Sequence, residues 1–177
     1  MQVSQVLIMK IKNETDRILH MRGNNLYTAP GSNKKILEFS VVVDKSLPAE
    51  CVSSMLIALM GALKRHDEVY RNVRLNYVQW EADDKTDHSV VPMMQLMSEG
   101  FYASYETNPC EKSYDKLYAY LKKFHARSRI VFLLTSDKNI VVNEEETNES
   151  LKPFLGKRLV KIQYTNGEPE LCCRMLF

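Results

Sequence analysis

Two acidic residues in the sequence follow apolar segments that are typical of buried strands. Asp44 comes directly after 36–43, and Asp137 comes shortly after 130–134. Ser46 adds a hydroxyl beside the first of these acids. Carboxylate and hydroxyl oxygens suit a hard divalent cation such as Mg²⁺, which also keeps a coordination position for a partner's oxygen. The pattern therefore predicts an oxygen-rich cation site where two strands end.

The elements that would position these acids follow from the hydrophobic pattern. Short apolar runs predict strands, and apolar residues at three- and four-residue spacing predict helices. The strands are expected at 36–43, 73–80, 130–134 and 159–164, and the helices at 51–65, 113–127 and 143–155. Pro92 favours a second strand over a helix at 89–96, which gives a hairpin with 73–80.

This alternation predicts the fold class. We expect an α/β domain with an open, mainly parallel central sheet, helices on both faces and one antiparallel edge hairpin. Glycine and proline number six each, and neither a linker nor a repeat appears, so 1–177 is predicted to be a single domain. Residues 1–30 are expected to form an N-terminal extension, with a helix that packs on the outside of the domain. The apolar tail 171–177 is expected to form either an added edge strand or a contact with another chain.

The acidic residues and the order of elements resemble the von Willebrand factor A family over roughly residues 36–165. Asp44-Lys45-Ser46 resembles the Asp-x-Ser start of that family's metal-ion-dependent adhesion site. The resemblance implies metal ligands at Asp44, Ser46, Thr107 and Asp137. Pro48 stands where the family has a second serine, so one ligand is absent and the predicted site is degenerate.

The resemblance implies a non-catalytic protein–protein interaction module, in which a partner's carboxylate completes a Mg²⁺ shell. The alternative is a metal-dependent α/β enzyme, a phosphoryl-transfer hydrolase that uses Asp44 and Asp137. A third interpretation needs no metal: Asp44 and Ser46 form a turn and a helix cap, and Asp137 forms a turn. Lys45 or Lys138 would then supply positive charge beside the two carboxylates.

Composition narrows the class of partner. The chain has 24 basic and 22 acidic side chains, a formal net charge of +2, and no long basic run, which argues against nucleic acid and membrane surfaces. No signal peptide, membrane span or zinc spacing appears, so we expect a cytoplasmic protein with reduced thiols.

Five tyrosines between 102 and 120 favour an interface near Thr107. The four histidines show no nucleophile–base pattern, and the oligomeric state is left open.

Overall fold

A computed structural model of the chain describes residues 4–21, 37–69, 73–83, 85–90, 104–154 and 158–172. The helices are α1 (Gln5–Met21), α2 (Ala49–Val69), α3 (Tyr114–Phe124) and α4 (Glu144–Leu151). The strands are β1 (Leu37–Asp44), β2 (Val73–Ala82), β3 (Lys85–Val90), β4 (Lys112–Ser113), β5 (Ile130–Thr135), β6 (Ile140–Val141), β7 (Leu159–Thr165) and β8 (Glu168–Cys172).

Six of these strands form one sheet in the order β3-β2-β1-β5-β7-β8. The four inner strands run parallel, and β3 and β8 pair antiparallel with their neighbours at the two edges. The α/β class and the mainly parallel sheet are confirmed. The first hairpin is present too, although its second strand begins at Lys85 rather than Ser89. Residues 91–96 of the expected strand lie outside the described part.

The prediction of one antiparallel edge hairpin was incomplete, because β7 and β8 form a second one. Thr165 pairs with Glu168, so the connecting turn consists of Asn166 and Gly167. Both turn residues have positive φ, at 52° and 87°. Asn-Gly is the preferred sequence for such two-residue hairpin turns, because asparagine and glycine tolerate the left-handed region better than other residues.

Helices cover both faces of the sheet, as predicted. Val41 on β1 packs in a buried cluster with residues of α1 and α2, whereas Val42 points to the other face and packs with residues of α3 and α4. The helix expected within 1–30 is α1, which contributes Leu7 and Ile11 to the first cluster. None of the described helices combines the length and the apolar character needed to cross a membrane.

Candidate functional site

Asp44 ends β1 in the middle of the sheet, and its side chain is completely buried. One carboxylate oxygen, Oδ1, accepts hydrogen bonds from the Ser46 amide at 2.8 Å and from the Lys112 ammonium at 2.7 Å. The other, Oδ2, accepts from the Thr135 hydroxyl at 2.7 Å. The protein therefore supplies partners to both oxygens of this acid.

Lys112 supplies the positive charge that Asp44 requires. It lies on β4, whose pairing with β6 is extended by a bond from the Lys112 amide to the Asn139 carbonyl. Its buried ammonium donates to the Ser46 hydroxyl at 2.7 Å and to the Cys110 carbonyl at 3.2 Å, as well as to Asp44. A lysine ammonium has three hydrogens, so these three acceptors use all of its donors.

A second pair of opposite charges lies at the end of β5. The Asp137 carboxylate accepts from the Lys161 ammonium and from the Tyr114 hydroxyl. The Asp137 amide donates to Thr135 Oγ1 at 3.0 Å, and the same hydroxyl donates to Asp44. Thr135 thus joins the two ion pairs into one unit, which we call the charge cluster: Asp44, Lys112, Thr135, Asp137 and Lys161.

The structure brings together three of the four residues predicted as metal ligands. Asp44 and Ser46 share the Lys112 ammonium, and the backbone amide of Asp137 is linked to Asp44 through the Thr135 hydroxyl. Thr107 is exposed, and in the described part of the chain it makes no hydrogen bond to the charge cluster.

The lysines suggested as substitutes for a metal, Lys45 and Lys138, do not pair with the carboxylates. Lys112 and Lys161 do so instead.

The donor set of the charge cluster fits an ammonium ion better than Mg²⁺. A divalent cation would need the Asp44 and Ser46 oxygens that Lys112 already contacts, and it would lie against a buried positive charge. Within the described ranges, no three acidic, histidine or cysteine side chains are arranged to hold a metal ion.

Comparisons with models of known protein families, with curated proteins and with solved structures found no match. The resemblance to von Willebrand factor A domains therefore depends on the residues quoted above. In the structure, Asp44 ends β1 and Asp137 follows β5, and these two strands are adjacent and parallel.

Tyr114 connects the charge cluster to the core beneath it. Its ring stacks on Tyr118, with centroids 5.5 Å apart and 7° between the planes, and lies 5.8 Å from the Trp80 ring. Burial, then the negative charge of Asp137, raises the pKa of Tyr114 far above its usual range. The phenol therefore stays protonated even above about pH 10, the usual tyrosine pKa, and can donate to Asp137.

Lys45 occupies the position between Asp44 and Ser46, but its side chain does not join the charge cluster. Its amide donates to the Trp80 carbonyl at 3.0 Å, and its carbonyl accepts from the Asn108 amide at 2.6 Å. Its ammonium lies 4.1 Å from the centroid of the Tyr105 ring, and only 5% of the residue is exposed. This lysine therefore links the β1–α2 loop to the loop that contains Thr107.

A second buried polar group was missed in the sequence. Ser40 Oγ lies 2.8 Å from His125 Nδ1 and 2.5 Å from Ser128 Oγ, and all three residues are buried. Arg158 donates to the Ala126 carbonyl at 2.6 Å in the same region. A serine in a strand and a histidine after a helix gave no local signal, since they lie 85 residues apart. Their hydrogen bonds connect β1 to the residues that follow α3.

Proposed function

We propose that the chain is a non-catalytic protein-interaction module of the von Willebrand A-like kind, whose adhesion site works without a metal ion. One observation supports this most directly. The Lys112 ammonium contacts the Asp44 carboxylate and the Ser46 hydroxyl, the oxygens that the resemblance assigns to a cation. The Lys112 ammonium compensates the negative charge of Asp44 and occupies the oxygens that a divalent ion would need. A divalent ion would also be repelled by this ammonium.

The geometry gives less support to a phosphoryl-transfer enzyme. A nucleophilic carboxylate must reach its substrate, but Asp44 is completely buried and both of its oxygens accept hydrogen bonds. Asp137 is partly exposed, yet it pairs with Lys161 and Tyr114. These contacts are typical of acids that stabilise the carboxyl ends of the strands rather than of acids that react with a substrate.

The interaction face in this proposal lies at the carboxyl ends of the parallel strands, where ligands collect in open α/β sheets. The loop 104–111 borders this face, and its exposed residues include Thr107 and Glu106. A partner protein is favoured over nucleic acid because the net charge is only +2. A cytoplasmic location agrees with the free thiols of Cys51 and Cys110.

Calorimetry with Mg²⁺ and Mn²⁺ tests the metal-independent site. We expect no saturable heat with the wild-type protein at millimolar metal. Lys112→Ala removes the ammonium and leaves the Asp44 and Ser46 oxygens available, so this variant is the one expected to gain metal affinity. Saturable binding to the wild type that disappears in Asp44→Ala would instead establish the metal-dependent site and refute the proposal.

Capture of partners from a cell lysate tests the interaction face. Thr107→Arg adds a charge at the face, and Ala126→Arg adds the same charge at an exposed position near the opposite ends of the strands. Proteins that bind the wild type in the presence of EDTA should be lost with Thr107→Arg and retained with Ala126→Arg. Equal capture by both variants would place the binding surface elsewhere.

A further inference from the structure

Among the residues that the structure describes, one buried lysine has no acidic partner, and this points to a binding site. Three lysines are buried within the described ranges: Lys45, Lys112 and Lys161. Lys112 pairs with Asp44, and Lys161 pairs with Asp137. The Lys45 ammonium lies over the Tyr105 ring, and no acidic side chain of the described residues pairs with it. We propose that Lys45 binds a carboxylate of the partner protein.

The neighbouring acid cannot satisfy Lys45. Asp44 precedes it in the chain, but the two oxygens of Asp44 already accept from Ser46, Lys112 and Thr135. An ammonium that is removed from water without an anion is costly, and a ring face offsets only part of that cost. An incoming carboxylate would supply the missing charge in a setting where charge-assisted hydrogen bonds are strong.

The surroundings of Lys45 are fixed before any partner arrives. Its backbone is held by hydrogen bonds to Trp80 and Asn108, and the Tyr105 hydroxyl donates to the Leu47 carbonyl at 2.9 Å. The ammonium and the ring beneath it therefore have little freedom to lose on binding, which favours affinity. This places a preorganised positive charge against Tyr105 of the loop 104–111, just beneath the face described above.

The chemistry of the loop favours a single carboxylate over a polyanion. Glu106 and Glu111 are exposed in the loop 104–111, so a ligand with many negative charges would meet repulsion there. A single carboxylate, from one aspartate or glutamate side chain or from a C-terminus, needs only the one positive charge of Lys45 as its counterion. This inference rests on the proposed function, since it names the group of the partner that the interaction face would bind.

Peptide titration followed by NMR tests the inference. The probes are two capped tripeptides, Gly-Glu-Gly and Gly-Gln-Gly, and the signals are the amide resonances of Ser46 and Asn108. We expect saturable shifts at millimolar glutamate peptide and none with the glutamine peptide. Lys45→Met should weaken binding about tenfold or more, the loss of one charge-assisted hydrogen bond. Lys138→Met, which removes an exposed lysine, should leave binding unchanged.

Several results would overturn the inference. These are no saturable shift with the glutamate peptide, equal binding of the glutamine peptide, or unchanged binding in Lys45→Met. Stronger saturation by inorganic phosphate would show a general anion site instead of a carboxylate site.

Thermal unfolding supplies a second readout, because removing an unpaired buried charge should leave the melting temperature of Lys45→Met at or above that of wild type. A large decrease would reveal an internal partner for Lys45 and contradict the inference. The two proposals fail separately. Metal-dependent capture with intact peptide binding refutes only the metal-independent module, and EDTA-resistant capture without peptide binding refutes only the role of Lys45.

Discussion

Replacing Lys112 by methionine is the most direct perturbation of the charge cluster. Methionine keeps most of the side-chain length and removes the ammonium. In the variant, Asp44 Oδ1 would keep the hydrogen bond from the Ser46 amide but lose the one from Lys112. The Ser46 hydroxyl would also lose its hydrogen bond from Lys112. Both side chains of the ion pair have zero exposure, so water does not replace the lost contact without a rearrangement of the sheet end.

The expected loss of stability is large. Removing one partner of a buried ion pair costs about 3–5 kcal/mol, because the other charge stays buried without compensation. Domains have free energies of unfolding of about 5–15 kcal/mol, so Lys112→Met should lose a substantial share of the total. With urea m-values of about 1–3 kcal/mol per molar, the unfolding midpoint should fall by at least about 1 M. Lys138→Met, at an exposed position, should stay within about 0.5 kcal/mol of wild type.

A double-mutant cycle attributes this loss to the pair. Urea unfolding of Lys112→Met, Asp44→Asn and the double variant, followed by circular dichroism, gives the coupling energy. In the Asp44→Asn background no carboxylate is left unpaired, so the lysine substitution should cost much less than in the wild type. The reasoning fails if Lys112→Met costs less than about 1 kcal/mol, a typical value for exposed pairs, or if its cost is the same in both backgrounds.

Two further predictions concern the tyrosine stack and the buried group at Ser40. Burial, then Asp137, raises the pKa of Tyr118, so its stabilising contribution is complete below about pH 10 and is lost as the pH rises further. Above that pH, the free energy of unfolding measured in urea should fall less steeply with pH for Tyr118→Phe than for wild type, and the two slopes should differ by about 1.4 kcal/mol per pH unit. Equal slopes would contradict this. Ser40→Ala removes hydrogen bonds to His125 and Ser128 and should lower the free energy of unfolding by about 1–3 kcal/mol, whereas unchanged stability would show that the group is not structural.

The sequence pattern identified the inner strands because each of them is covered on both faces. The run 130–134 is entirely apolar, and it became β5 at the centre of the sheet. The second edge hairpin was missed although its signal was present, since Asn166-Gly167 is a typical hairpin turn. The tail 171–177 is predicted to be an added edge strand or a contact with another chain; its first two residues belong to β8, which begins at Glu168, and residues 173–177 lie outside the described part.

The two acids of the site could be placed from the sequence, whereas Lys112 could not. Adjacent parallel strands end at one edge of the sheet, and this brings Asp44 and Asp137 close together from strand order alone. Lys112 lies 66 residues from Ser46 and belongs to a two-residue strand, which is too short to show a periodic pattern. Lys161 did carry a signal, because a lysine inside a buried strand requires an internal partner.

Under the proposed function, a lysine in place of a metal ion changes what controls partner binding. A bound metal can leave, so its site responds to ion concentration, whereas the Lys112 ammonium belongs to the chain and is held by three acceptors. Under the proposed function, partner binding would therefore be insensitive to chelators. A fully paired Lys112 has no donor left for a partner, so recognition of an acidic group must use another cation. Lys45 follows Asp44 directly in the chain, and among the buried lysines of the described residues it is the one whose charge has no acidic partner. Under the two proposals, Lys112 therefore compensates Asp44, and Lys45 binds the partner.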